Sequence, residues 1–300
     1  MRRLRPGGGE SGLALLLAVW ALALLTVIGG EFLASGRVRA AAERNRRDDL
    51  RARALALAGY RAALATLDDH LAGLSVDEGG KLLLHYHGSE AGVPAAAADQ
   101  ALGDGTYSYT ISDEEGLVNV NAVQATVLRS LLEQCGMELG AERDTVIDSI
   151  LDWRDPNREH RLNGAEEDYY RGLDPPYSAK DAPFDVIEEL LLVRGVTPAL
   201  FAGGEVDGKA RPGLRALLTP HTATDDPANL ATAPRAVLDA LGKTRPARPS
   251  PPSAHYAIVA TGRPGGGAPP RALRAVVRRE DAGDSRSFTL LYWNDAYAPE

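Results

Sequence analysis

The chain has 300 residues, 44% of them hydrophobic and 25% charged, a globular composition that excludes wholesale disorder. Its formal net charge is −8, from 41 acidic against 33 basic side chains, which argues against broad contact with nucleic-acid phosphates and is compatible with cation binding. A single cysteine, Cys135, excludes an internal disulfide and a CxxC metal site, and its place at the end of an apolar helical stretch reads as an inert buried thiol.

The first element decides the class. Leu13 to Gly30 (LALLLAVWALALLTVIGG) runs 18 residues without a charge. As a helix this spans about 27 Å, near the thickness of a bilayer core. Arg2, Arg3 and Arg5 precede it in MRRLRPGGGESG. Three readings fit: a signal peptide cut near Ala34–Ser35, an uncleaved anchor, or a short basic leader cut after Gly12 so that Leu13 becomes the new N-terminus. The junction SG/LALLLAVW favours the third. The leading arginines place that end in the cytoplasm. Arg37, Arg39, Arg44, Arg46 and Arg47 crowd the other flank, but long downstream domains translocate largely regardless of charge.

From Glu31 to about Ala72 there is no proline, and alanine, leucine and arginine abound, so the helix is expected to continue beyond the membrane. Leu50, Ala54, Leu57, Arg61 and Leu64, with Val38 and Leu67 at the ends, form the expected packing stripe. Gly29–Gly30 is the expected flexible point. Lys81 to His87 and Thr106 to Ile111 read as strands, Asp113 to Gly116 as a turn and Leu117 to Asn121 as a short strand. His85 and His87 share a strand face and read as two polar positions rather than a metal pair.

Helices are predicted over Ala122 to Gly136, Glu142 to Leu151, Asp185 to Val193 and Ala233 to Leu241, with a short one beginning at Pro198. Strands are predicted over His255 to Thr261, Leu273 to Arg279 and Ser287 to Trp293. Strands thus flank a block of helices, which implies an α+β protein: a helical domain inserted into an antiparallel sheet that packs on the N-terminal helix.

Asp152 to Pro183 reads as a long acidic loop. Calcium needs hard oxygen ligands converging from a tight loop. Counting Asp155 as the first position puts Asn157 third, Glu159 fifth and Glu166 twelfth, the oxygen spacing of an EF-hand. His160 stands where that loop has glycine, so the expectation is a looser calcium site from Asp155, Asn157, Glu159 and some of Glu166, Glu167 and Asp168. Catalytic signatures are lacking: no GxSxG, no HExxH and no GxGxxG after a strand occurs. Gly203 to Lys209 has GxxxxGK spacing, but Ala210 follows where a hydroxyl would hold Mg²⁺. A second reading, a membrane-anchored helix-hairpin-helix DNA-binding protein, rests on LVNVNAVQATVLRSLL and LVRGVTPALF, and the acidic charge disfavours it.

Several segments together resemble the minor pseudopilin K family of bacterial type II secretion. They are SG/LALLLAVW, GLVNVNAVQATVLRSLL, ILDWRDPNREHRLNGAEEDYY, PPYSAKDAPFDVIEELLLVRGVTP and NLATAPRAVLDALG, across residues 8–242. The resemblance implies a pilin-like fold with a large inserted α-domain. Its divisions are a prepilin-type leader over 1–12, the transmembrane part of the helix over 13–34, the amphipathic helix and first strands over 35–120, the α-domain over 121–245 and the last strands over 246–300. It implies a non-enzymatic subunit in the inner membrane, N-terminus cytoplasmic and globular part periplasmic, cut by a prepilin peptidase between Gly12 and Leu13. It implies calcium in the α-domain, and a place at the pseudopilus tip with minor pseudopilins I and J above the major pseudopilin, with no nucleic acid bound. Most pilin-like proteins carry glutamate at mature position five; Leu17 stands here, as K-type subunits characteristically lack it.

Overall fold

The computed structural model describes residues 10–70, 74–85, 92–206, 208–223, 228–246, 254–282 and 285–298. Helix α1 (Glu10–His70) runs unbroken for 61 residues, through Gly29 and Gly30 without interruption. At 1.5 Å per residue that is about 90 Å. Its first half touches nothing: Leu13 to Leu33 is exposed, with Trp20 at 68% and Phe32 at 77%. This is the one helix, among the described residues, long and apolar enough to cross a membrane.

The second half packs on a sheet, by a different face from the one expected. Leu50, Ala54 and Arg61 are exposed and Leu57 and Leu64 half-buried, whereas Ala52, Leu55, Ala56, Gly59, Ala63 and Leu67 are buried. The helix meets the sheet through its small residues because the two backbones nearly touch. A Cβ on Gly59 would lie 3.2 Å from the Ser108 carbonyl oxygen, and one on Gly262 only 2.1 Å from the Ala52 carbonyl oxygen. Hydrophobicity alone favoured the leucine stripe; close approach selects the small one.

The remaining elements follow in chain order. Strands β1 (Leu74–Val76), β2 (Leu82–Leu84) and β3 (Val93–Pro94) form a small antiparallel sheet. Next come β4 (Ala96–Leu102), β5 (Gly105–Asp113), β6 (Val118–Asn119), α2 (Ala125–Gln134), α3 (Ala141–Arg154), α4 (Glu167–Arg171) and α5 (Pro198–Ala202). A hairpin of β7 (Gly203–Val206) and β8 (Lys209–Pro212), then β9 (Leu218–Thr219) and α6 (Arg235–Ala240), complete the middle. The chain closes on β10 (His255–Arg263), β11 (Arg271–Ala282) and β12 (Ser285–Tyr297).

The main sheet is antiparallel, in the order β12-β11-β10-β5-β4. Because β5 pairs directly with β10, with Asp113 opposite Tyr256, everything from residue 114 to 254 leaves the sheet and returns to it. One face of the sheet, through Tyr109, Ile111, Tyr256, Ile258 and Ala260, shares a core with Ala56, Ala63 and Leu67 of α1. The helical block has its own core, including Leu128, Leu131, Ile147, Ile150, Trp153, Tyr170, Phe184 and Leu214. Ala257, Val276 and Tyr292 of the sheet pack with Val186 of the block.

Some elements differ from the sequence expectation. The helix predicted over Asp185 to Val193 is a 3-10 turn, Ile187–Leu192. Strand β4 (AAADQAL) has no β-branched residue and is held by pairing with β5 across a bulge between Ala97 and Gln100. The GxxxxGK spacing falls on the β7–β8 hairpin. The Lys81 to His87 strand is confined to Leu82–Leu84; His85 hydrogen-bonds Ser75 Oγ at 2.6 Å, and His87 lies outside the described residues. Cys135 is buried, and burial pushes its thiol up to about 12, an unreactive state at neutral pH.

Candidate metal centre

The acidic loop starts from α3, whose last turn carries Asp152, fully buried, and whose C-cap is Asp155. Residues three apart on a helix share a face, so both carboxylates turn to the same side. Arg161 reaches back between them, its Nη1 donating to Asp152 Oδ1 at 2.5 Å and to Asp155 Oδ2 at 2.6 Å. The Arg161 backbone N–H donates to Asp152 Oδ2 at 3.3 Å. Asp155 Oδ1 caps the turn by accepting from the Asn157 backbone N–H at 3.2 Å, and Asn157 Oδ1 accepts from the Glu159 N–H at 2.8 Å. Gly164 passes so close to Asp152 that a Cβ would lie 1.8 Å from its Oδ2.

Glu166 then points inward. It is 2% exposed, and neither carboxylate oxygen has a hydrogen-bond partner among the described residues. Burial, reinforced by the charges of Asp152, Asp181 and Asp155 and opposed by Arg161, pushes its carboxyl up to about 7. Asp152 is also raised, by burial first, with Arg161 opposing. Asp181 Oδ1 is a further buried oxygen without a partner. Arg161 pairs with Asp152 and Asp155, and Arg158 Nε lies 3.4 Å from Asp181 Oδ2, which leaves Glu166 without an ion-pair partner among the described residues.

The structure brings Asp155 and Glu166 of the predicted set into this cluster and adds Asp152 and Asp181. Asn157 supports the turn. Glu159 is exposed. Glu167 is engaged by Arg171 Nε at 2.7 Å and the Ala179 N–H at 3.0 Å, and Asp168 by His160 Nε2 at 2.9 Å. Among the described residues, no three acidic, histidine or cysteine side chains already converge as an ion-holding group; Arg161 bridges Asp152 and Asp155 instead. In donor type and charge, Asp152, Asp155, Glu166 and Asp181 fit a hard cation, and the two bare oxygens of Glu166 are the observation that says so. Asp152 was legible as the partner of Asp155 one helical turn on. Asp181, 29 residues beyond Asp152, carried no local signal.

A second polar centre went unread in the sequence. The turn Asp113–Glu114–Glu115 fastens the helical block to the sheet. Asp113 Oδ2 accepts from Asn229 Nδ2 at 2.9 Å and Thr232 Oγ1 at 2.7 Å. Glu114, 2% exposed, accepts from Arg274 Nη2 of β11 at 2.8 Å and from Thr219 Oγ1 of β9 at 2.6 Å. Glu115 Oε1 lies 2.6 Å from His255 Nδ1. Nearby, the His221 ring lies against Tyr292, whose hydroxyl donates to Glu188. The hairpin at Val193 to Thr197 is anchored by its two valines, with Gly195 and Thr197 exposed. Val193 and Val196 are buried, and Arg194 donates to the Gly164 carbonyl at 3.0 Å while lying over the Tyr169 ring.

The long helix, the antiparallel sheet and the helical block leaving between β5 and β10 define a pilin-like α+β protein with a large insertion in its sheet. A chain of the crystal structure of the GspK-GspI-GspJ complex from the enterotoxigenic Escherichia coli type 2 secretion system shares this fold. The TM-score is 0.63 over 87% of this chain and 100% of that one, at 15% identity.

In sequence, the family model for type II secretion system (T2SS), protein K matches residues 100–205. Type II secretion system protein K of Klebsiella pneumoniae is 27% identical over 206 residues, which are 64% of this chain and 60% of that protein. Its namesake in Pectobacterium carotovorum subsp. carotovorum is 32% identical over 113 residues, 32% of this chain and 34% of that protein. The resemblance to the type II secretion protein K family is borne out in sequence and in fold.

Proposed function

We propose that this chain is a minor pseudopilin of type II secretion, a non-enzymatic subunit anchored in the inner membrane with its globular part periplasmic. The observation that carries the reading is the combination of a bare apolar half-helix with a sheet opened by a helical block of its own core. A helix that buries nothing within its own chain over Leu13 to Leu33 needs lipid or neighbouring helices to cover it. The block, held to the sheet through Glu114, Glu115 and Asp113, gives the subunit bulk on one end. A bulky head suits a fibre tip better than a repeating shaft. Leu17, in place of the glutamate of most pilin-like proteins, supports the same place: a subunit at the top needs no neighbour above it.

On this reading the chain is cut between Gly12 and Leu13 by a prepilin peptidase. It then assembles with minor pseudopilins I and J above the major pseudopilin, and helps to start the fibre. Calcium is proposed for the acidic loop, with Asp155 and Glu166 supported by both spacing and geometry and Asp152 and Asp181 by geometry. Bound there, it would add positive charge to four carboxylates whose ion pairs, among the described residues, are to Arg161 and Arg158, and so stiffen the loop joining α3 to α4.

The test is the intact mass of the chain after co-expression with a prepilin peptidase, followed by co-purification with I and J. Loss of residues 1–12 and a stable ternary complex are expected. An uncut N-terminus, or a cut near Ala34, would sink the tip-subunit reading.

A further inference from the structure

At the opposite end of α3 from Asp152, about 14 Å away along the helix, Arg143 and Arg211 line an open cleft of about 610 Å³. Arg143 sits in the first turn of α3 and is 5% exposed. Its Nε is buried without a hydrogen-bond partner among the described residues, and so is the Nε of Arg211 on β8. Among the described residues, no carboxylate lies within ion-pair distance of either guanidinium. A buried guanidinium without a counter-charge is costly, and proteins keep one where something else supplies the charge. Gly140 provides no side-chain cap at the N-terminus of α3, and the partial positive charge of the helix dipole there is met by Glu142 and Asp144 of the first turn, the latter paired with Arg129 at 3.6 Å, so the attraction for an anion rests on the two guanidinium groups.

The rim sets the kind of ligand. Leu139 is 79% exposed there, with Met137 half-buried beside it, an apolar lip against which a side chain can pack. Glu133 and Glu138 stand on the same rim. Their charge repels a phosphate dianion more than a single carboxylate, and the flat fork of a guanidinium matches a carboxylate with two parallel hydrogen bonds. We propose that the Arg143–Arg211 cleft is a docking site for an acidic peptide segment of a partner protein, its carboxylate held by the guanidinium groups and a neighbouring apolar side chain resting on Met137 and Leu139. The site is independent of the acidic loop and of the anchor, so its failure would leave the pseudopilin reading standing.

The experiment uses the full chain in detergent and a short fluorescein-labelled peptide alternating leucine and glutamate, read by anisotropy. The same peptide with glutamine for glutamate, and inorganic phosphate, serve as competitors. The glutamate peptide should bind, and the glutamine peptide should compete about tenfold less well or worse, the loss of a charge-assisted pair. Arg211→Gln, at a half-buried hairpin position, should weaken binding by a similar factor, and Glu138→Gln should strengthen it. Arg143→Gln should abolish binding; if that variant does not fold, Arg143→Lys, which keeps the charge and loses the fork, should still weaken it. No binding of the glutamate peptide, equal competition by the glutamine peptide, or unchanged affinity in Arg211→Gln would overturn the proposal. Phosphate displacing the peptide at matching concentration would overturn it too, leaving a simple anion site.

Discussion

Adding one methyl group at Gly262 should pry α1 from the sheet. The new Cβ would lie 2.1 Å from the Ala52 carbonyl oxygen, 2.4 Å from the Ala56 nitrogen and 2.7 Å from Leu55 Cβ. Two of these three atoms are helix backbone and cannot turn aside as a side-chain tip would. Relieving the overlap requires moving a turn of α1 by roughly 1 Å, which places the change at the upper end of the 1–3 kcal/mol typical of overpacked cores. The lower chain entropy of unfolded alanine returns about 0.4–1 kcal/mol. A net loss of about 2 kcal/mol corresponds to a fall in Tm of roughly 4–8 °C for a chain of this size. Thermal melts of the full chain in detergent, followed by tryptophan fluorescence, give the number. Gly36→Ala is the control: that glycine lies in the same helix with nothing within 4 Å, and the substitution should be neutral or mildly stabilising. Equal melting temperatures for Gly262→Ala and the parent chain would refute the claim that backbone contact sets the helix–sheet spacing.

Glu114→Gln leaves Arg274 buried beside a neutral partner and should cost about 3–5 kcal/mol; hydrogen exchange should report it first where β9 and the 219–222 segment meet the sheet, and unchanged protection there would argue against the lock. Without calcium, Glu166→Gln should stabilise the chain by about 1–3 kcal/mol, because it removes a buried charge that lacks partners. The parent chain, in turn, should gain about 2.7 kcal/mol at a calcium concentration 100 times the dissociation constant. Melting that ignores both calcium and chelator would remove the metal from the account. His221 is half-buried, with its Nε2 shielded from solvent, and its pKa is lowered from 6.5, mainly by desolvation. The unfolded chain therefore takes up this proton first, and stability should fall as pH drops below 6.5. His221→Phe keeps a ring against Tyr292 and should flatten part of that decline in melts from about pH 7 to about pH 5; an identical slope would exclude His221 as a source.

The long helix, the last three strands and the helical block between them were legible because each is carried by local pattern: absent proline, alternation, or capped apolar periodicity. The packing face of α1 was not, since what chose Ala52, Ala56, Gly59 and Ala63 is the distance to β10 and β5, a property of the partner rather than of the helix. Strand β4 was missed for the same reason. At the acidic loop, spacing led to Asp155 and Glu166, but an EF-hand count could not supply Asp181, which the fold delivers from beyond α4. The segment Asp113 to Gly116 read only as a turn. Its role is set by Arg274, 160 residues later.

That β5 and β10 are neighbours bears on how the chain becomes folded. The central pairing of the sheet joins residues synthesised about 150 positions apart, and β11 and β12 come later still. Loop closure over such a separation is slow compared with contacts formed nearby in sequence. The helical block, whose core is contiguous in the chain, is complete before the sheet has its inner strand. Until β10 to β12 arrive, the small-residue face of α1 lacks β10, its main partner in the sheet, and a chain truncated before β10 should fold its middle while leaving both ends unfinished.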